Sequence, residues 1–319
     1  MTARMMTTLR TPKTMLLLLA IGFVPATAIA APGRAAQGGA GAAAAQADIK
    51  KTLGFVPQFF LKLPELALPG FWGEMKGLQL NPRTALPGKV KELIGLAVAA
   101  QIPCRYCIYA HTQFATLNGA TPVEVGEAVA MAGLTRHWSA FLNGIQTDPV
   151  KWRGEVARIV ENARAAAKTP PGAPAPAPAA VVDGQSALRD IAQSLGFAPE
   201  FLKRFPEPAR AGAWRELKEV QLNPESALPG KVKELIGLAV AAQMPCAFCI
   251  VAHTEFAKLN GATDAEITEA IAMGAYTRNA STLLNGLEID EPQFRRDIDR
   301  LVKGAHAAAD KSRVHTAAR

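Results

Sequence analysis

From Asp48 to about Ala165 the chain repeats itself 142 residues later, with no insertion or deletion. Gly54 pairs with Gly196, Trp72 with Trp214, Glu92 with Glu234, Cys104 with Cys246, Thr121 with Thr263 and Asn143 with Asn285. Residues 85–101 and 227–243 are identical over 17 positions. A repeat this regular means one structural unit built twice, and it has to be recognised before any fold is assigned. Between the copies, 169–180 reads TPPGAPAPAPAA, so the Pro/Ala-rich stretch 166–187 is expected to be an extended, semi-rigid linker.

Within each repeat the periodicity is helical. Segments 64–80 and 206–222 begin after a proline and end at Asn-Pro, a helix stop. In 88–101 and its copy 230–243, apolar residues recur at helical spacing, with Val90, Leu93, Ile94, Ala97 and Val98 in the first. Ile102-Pro103 and Met244-Pro245 break that helix, and a second one starts near Cys104 and runs to Asn118-Gly119. Thr121-Pro122-x-Glu124 is a capping box with proline at the first helical position, and Thr263 to Glu266 repeats it without the proline. A last amphipathic helix is expected over 149–165 and 292–305. No stretch alternates with period two. The expectation is an all-α chain of two tandem domains, 48–165 and 188–305, each of about six helices. A C-terminal tail, 306–319, follows.

The first thirty residues carry Arg4, Arg10 and Lys13, then an apolar run from Met15 to Val24, then Ala28-Ile29-Ala30. This is the layout of a secretory signal peptide, and the run is well short of the ~20 residues a membrane span needs. The Gly/Ala-rich segment 31–47 is expected to be a mobile tether. Localisation is then periplasmic or secreted, with no membrane partner once the signal is cleaved. Cleavage lowers the net charge from +8 to +5 with no concentrated basic patch, which argues against a nucleic-acid partner. All four cysteines lie in the two Cys-x-x-Cys pairs, and in an oxidising compartment such pairs can rest as disulfides.

The candidate catalytic residues are Glu92, Cys104, Cys107 and His111, repeated as Glu234, Cys246, Cys249 and His253. Helical spacing places Cys104, Cys107 and His111 on one face at i, i+3 and i+7. Glu92 and His111 stand nearly equal distances either side of the Ile102-Pro103 break. If the helices fold back as a hairpin, these two meet across the seam with the cysteines nearer the turn. A histidine can take a thiol proton, a carboxylate behind it fixes its tautomer, and a second cysteine can close a disulfide. The start of the second helix favours a thiolate at Cys104. Competing readings are a zinc site of two Cys, one His and one Glu, and a structural disulfide in a non-catalytic binding module. A c-type haem site is excluded, because Ile108 and Ile250 follow the second cysteines where histidine is required. His137, His306 and His315 lack such company and read as surface or helix-end residues.

The pattern Glu-x11-Cys-x2-Cys-x3-His, followed by Thr and then Gly-Ala-Thr, resembles the AhpD-like (alkylhydroperoxidase D) branch of the carboxymuconolactone decarboxylase family. It reads Glu92…Cys104-Arg-Tyr-Cys107-Ile-Tyr-Ala-His111 and Glu234…Cys246-Ala-Phe-Cys249-Ile-Val-Ala-His253. The resemblance implies an all-α fold, assembly as a homo-oligomer (here a trimer of tandem chains), and hydroperoxide reduction. It implies Cys107 and Cys249 as peroxidatic cysteines, Cys104 and Cys246 as resolving ones, and Glu92/His111 and Glu234/His253 as proton relays. No cofactor is called for beyond redox-active disulfides, Cys104–Cys107 and Cys246–Cys249. The expected partners are a hydroperoxide substrate and a dithiol or thioredoxin-like reductant. A thiol-disulfide oxidoreductase is the alternative; lactone decarboxylation fits less well, because members that open lactones generally lack the Cys-x-x-Cys pair. The chain departs from the branch at Tyr106 and Phe248, where the residue before the second cysteine can be histidine.

Overall fold

The computed structural model describes residues 32–168 and 180–317, with side chains described from Gly39 to Asp310 on either side of that gap. The expected signal peptide and residues 169–179 of the Pro/Ala linker lie outside the described residues. As expected the chain is all-α: among the described residues each repeat holds seven α-helices, some of them only five residues long, and there is no strand. In the first repeat these are α1 (Pro32–Leu53), α2 (Gln58–Lys62), α3 (Leu68–Glu74), α4 (Gly88–Gln101), α5 (Arg105–Leu117), α6 (Pro122–Gly144) and α7 (Pro149–Lys168). In the second they are α8 (Gly184–Leu195), α9 (Glu200–Arg204), α10 (Glu207–Leu217), α11 (Gly230–Gln243), α12 (Ala247–Leu259), α13 (Asp264–Gly286) and α14 (Glu291–Ala317).

Three segments differ from the sequence expectation. Residues 32–47 of the expected tether are helical and form most of α1, because alanine is the strongest helix former and one face has something to bury against. Ala42, Ala45 and Ile49 are buried, and α1 packs on α3. The linker ends earlier than 187, since Asp183 and Ser186 form a capping box that starts α8 at Gly184. The tail 306–319 is largely a continuation of α14, whose Ala-rich sequence after Gly304 offers no stop. The expected helices 64–80 and 206–222 each end in a π-helical turn, Met75–Gln79 and Lys218–Leu222, a distortion frequent at functional sites.

The capping signals act where the sequence places them. Thr121 Oγ1 accepts the Glu124 N–H at 3.2 Å while Glu124 accepts the Thr121 N–H at 2.7 Å, and Thr263 with Glu266 does the same. Gly119 and Gly261 end α5 and α12 with φ of +82° and +80°, a conformation costly for any residue with a β-carbon.

The two repeats are consecutive along the chain and interlocked in space. Helices α4 and α11, the identical segments, pack against each other at the centre, and each also touches both α6 and α13. The last helix of each repeat leaves its own copy, so α7 packs on α12 and α14 packs on α5. Trp152 of α7 donates its indole N–H to Phe248 O at 2.9 Å. At the equivalent place Tyr106 donates to Ile289 O at 2.6 Å. Glu269 accepts the Ala85 N–H at 2.6 Å ahead of α4, and Glu127 accepts the Ala227 N–H at 2.8 Å ahead of α11. A chain cut between Lys168 and Ala180 should therefore remain one particle. Size-exclusion chromatography of the cut protein is expected to elute both halves together; two separate peaks would contradict the interlock.

Glu124 and Glu266 are held below the usual carboxylate range, first by hydrogen bonds from Lys89 and Lys231, then by the backbone N–H groups of Thr121 and Thr263. A depressed folded pKa adds stability above the ordinary glutamate pKa, and that stability is lost as pH falls through the folded value. Glu124→Gln with Glu266→Gln should lower urea resistance at about pH 7 and lower it less at about pH 3, where the contribution is already falling. Equal losses at both would refute this.

Candidate functional site

The site begins at the break between α4 and α5. Proline cannot continue α4, so the chain turns at Ile102-Pro103, and Cys104 becomes the N-cap of α5 with extended backbone. Its Sγ accepts the Cys107 N–H at 3.2 Å, and Cys246 Sγ accepts the Cys249 N–H at 3.3 Å. The pairs Cys104–Cys107 and Cys246–Cys249 are disulfides, with Cα–Cα separations of 5.3 and 5.4 Å. All four sulfurs are buried.

The fold-back brings Glu92 and His111 together, 19 residues apart in sequence, with Glu92 Oε2 2.7 Å from His111 Nδ1. Glu234 and His253 meet at the same 2.7 Å. Both members of each pair are at least nine-tenths buried. In such a bond the carboxylate oxygen accepts and the ring N–H donates, so Nδ1 is turned to the glutamate and Nε2 points away from it.

Three further groups serve each pair, and sequence reasoning missed them. Gln79, on the π-helical turn, donates its amide to Glu92 Oε1 at 3.0 Å; Gln221 does so to Glu234 at 2.9 Å. Lys91, wholly buried, ties the end of that turn by donating to Leu78 O, Asn81 O and Thr84 Oγ1 at 2.6–2.8 Å. Its copy Lys233 donates to Asn223 O at 2.7 Å. Burial depresses the Lys233 pKa, against the opposite pull of Glu127 and Glu234. Gly95 and Gly237 lie flat under the imidazoles, and a β-carbon at either would overlap the ring. The signal for these residues was identity at the 142-residue offset, but nothing local distinguishes them from ordinary helix positions.

The opposite repeat completes each site. Thr277 Oγ1 of α13 lies 3.4 Å from His111 Nε2, and Thr135 Oγ1 of α6 lies 3.4 Å from His253 Nε2. Asn285 Nδ2 donates to Cys104 Sγ at 3.6 Å, and Asn143 Nδ2 to Cys246 Sγ at 3.7 Å. The sequence marks Asn143 and Asn285 only as a repeat pair, because a contact between repeats leaves no trace in spacing. Among the described residues no hydrogen bond joins a site histidine to a cysteine sulfur, and no group of three or more His, Cys, Asp or Glu is arranged to hold a metal ion. His137 and His306 are exposed, although the His137 ring packs on Trp138 and Phe205. The side chain of His315 is outside the described residues.

A cavity of about 890 Å³ adjoins the second site. Glu234, Cys249 and His253 are among its walls, and Cys246 is not. Near the first site the Tyr276 hydroxyl is buried without a hydrogen-bond partner. Burial lifts its pKa well above the ordinary tyrosine range, and the Glu74 and Glu92 carboxylates push the same way. Leu134 occupies the equivalent position beside the second site.

The sequence pattern of the carboxymuconolactone decarboxylase family matches residues 67–146 and 208–291, once in each repeat and together just over half of the chain. Comparison with curated proteins and with solved structures gives no significant match. Each matched segment contains one complete Glu-Cys-Cys-His set.

Replacing a mid-helix glycine by alanine normally stabilises a helix by roughly 0.5–1 kcal/mol. At Gly95 and Gly237 the sign should reverse, because the new methyl must displace a buried ring. Gly95→Ala is expected to destabilise by about 1–3 kcal/mol in urea unfolding. A stabilised variant would contradict the packing of His111 on α4.

Proposed function

Because this chain belongs to the carboxymuconolactone decarboxylase family, and each repeat carries a Cys-x-x-Cys disulfide close to a buried Glu–His pair, we propose that it is a cysteine-based hydroperoxide reductase with two sites. The observation that carries the reading is at the second site: Cys249, His253 and Glu234 all line one cavity, so a ligand there meets a cysteine and a proton relay together. In the reduced protein the Cys249 thiolate attacks the terminal peroxide oxygen. The O–O bond breaks, the sulfur becomes a sulfenic acid, and His253 returns the thiol proton to the departing alkoxide, which leaves as an alcohol. Cys246 then attacks the sulfenic sulfur, water leaves, and the Cys246–Cys249 disulfide forms. A dithiol of the thioredoxin-like class restores both thiols and is itself oxidised to a disulfide. Cys107, Cys104, His111 and Glu92 play the same parts in the first site.

Glu92 and Glu234 hold the histidine tautomer in which Nε2 can accept a proton, and they stabilise the imidazolium that follows. The reading includes a periplasmic or secreted location and a homo-oligomer of three tandem chains, which fractionation and light scattering respectively test.

Thiol-disulfide exchange is a second reading, favoured by the donors on Cys104. Its sulfur accepts both the Cys107 N–H and the Asn285 amide at the start of α5, which stabilises a thiolate there. The two readings separate on trapping: peroxide plus a sulfenic-acid probe should label Cys107 in Cys104→Ser, whereas exchange chemistry should trap a mixed disulfide on Cys104 in Cys107→Ser.

With dithiothreitol as reductant, Cys107→Ser combined with Cys249→Ser should reduce consumption of cumene hydroperoxide to the uncatalysed rate. His111→Gln with His253→Gln should slow it by about 10²–10⁴-fold, the usual worth of general acid–base catalysis. Unchanged turnover in the cysteine double variant would end the proposal.

A further inference from the structure

The imidazole of each site is bounded on three sides. Glu234 meets Nδ1 of His253, Gly237 lies under the ring, and Thr135 Oγ1 lies 3.4 Å from Nε2. Glu92, Gly95 and Thr277 stand around His111 in the same way. The threonine contact is the unexpected one. A threonine inside a helix ordinarily turns its hydroxyl back to the carbonyl four residues earlier. Thr116, Thr268 and Thr282 do so, onto Thr112 O, Asp264 O and Arg278 O at 2.8–3.0 Å. Thr135 in α6 and Thr277 in α13 do not. Both are buried, and among the described residues the histidine of the opposite repeat is the only hydrogen-bond partner of either hydroxyl.

Two turns further along the same helix face, Asn143 and Asn285 reach the N-cap sulfurs of Cys246 and Cys104. Each amide also donates to the carbonyl one turn back, Ser139 O at 2.7 Å or Ser281 O at 2.8 Å, which turns its nitrogen and not its oxygen to the sulfur. One face of a helix from the opposite repeat thus grips both the ring and the disulfide. Elsewhere on these helices the copies differ, with Trp138 replaced by Ala280 and Phe141 by Leu283. Thr, Ser and Asn stand at the same three places in both.

We propose that Thr135 and Thr277 are positioning residues, each holding the Nε2 end of the histidine in the opposite repeat. The inference rests on the peroxidase reading for the step it serves. When Nε2 has taken the thiol proton it becomes a donor, and the threonine oxygen accepts that N–H until the alkoxide forms and the proton leaves for it. The threonine neither gains nor loses a proton, and it acts through the imidazole rather than on the peroxide. Without the hydroxyl, Nε2 loses its buried partner and the ring can rock about its bond to the glutamate.

Thr135→Val removes the hydroxyl at nearly constant shape, and Thr135→Ser keeps it. In the full chain with nitrogen-15-labelled histidine, the His253 Nε2 resonance should be displaced in Thr135→Val and restored in Thr135→Ser, with His111 unmoved in both. In the unsubstituted protein, where no variant can misfold, nuclear Overhauser cross-peaks should join the Thr135 side chain to the His253 ring and not to the His111 ring. With the first site silenced by Cys104→Ser and Cys107→Ser, Thr135→Val should slow cumene hydroperoxide consumption about fivefold, the worth of one neutral hydrogen bond, and Thr135→Ser should recover it. A His253 resonance indifferent to the hydroxyl, a shift at His111 instead, or missing cross-peaks would overturn the inference. So would turnover that Thr135→Val leaves unchanged or Thr135→Ser fails to recover. If the resonances respond as described while the unsubstituted protein consumes no cumene hydroperoxide, the peroxidase reading fails and the hold of the threonine on the ring stands.

Discussion

A carboxylate and an imidazole bonded to each other inside a protein make heavy demands on the chain around them. Removing a charge from water costs several kcal/mol, and only close, well-aligned partners offset it. Here Glu92 has the His111 Nδ1–H on one oxygen and the Gln79 amide on the other. Gln79 reaches it because a π-helical turn carries it inward, and Lys91 holds the end of that turn by its carbonyls. The ring itself can lie against α4 only because residue 95 is glycine. Much of the local architecture, including features that are odd in isolation, follows from keeping this one hydrogen bond satisfied.

The demand does not stop at the repeat boundary. The free end of His111 faces Thr277, and Cys104 receives Asn285, both from α13 of the other copy. The reciprocal contacts come from α6, through Thr135 and Asn143. Since α4 and α11 pack on each other and on both of these helices, a site cannot be assembled from one repeat alone. Fusion into a single chain then has a consequence that two identical subunits would lack. A substitution in α6 alters the second site and leaves the first, which is how Trp138 and Ala280, or Leu134 and Tyr276, can diverge while the reactive groups stay fixed.

The sequence made the repeat, the helical class and the hairpin legible, because each rests on local chemistry: a fixed offset, apolar spacing, and a proline that stops α4. The meeting of Glu92 with His111 followed from counting outward from that proline. It hid Gln79, because a π-turn cannot be told from an α-turn by composition. Thr277 and Asn285 were hidden for a different reason: their partners lie in the other repeat, and a contact between copies has no spacing rule. The Ala-rich segment before Ile49 misled, since low complexity suggests a tether until a face such as Ala42, Ala45 and Ile49 finds a surface to bury against.

The claim that each site is built from both repeats is tested most directly by site-resolved thiol alkylation of the reduced protein, read by mass spectrometry. Losing the amide donor should destabilise the thiolate it faces and slow its reaction with iodoacetamide. Asn143→Ala, in the first repeat, is expected to slow alkylation of Cys246 and leave Cys104 unchanged, and Asn285→Ala to do the reverse. If each substitution instead slowed the cysteine of its own repeat, or neither cysteine responded, the sites would not be shared as described.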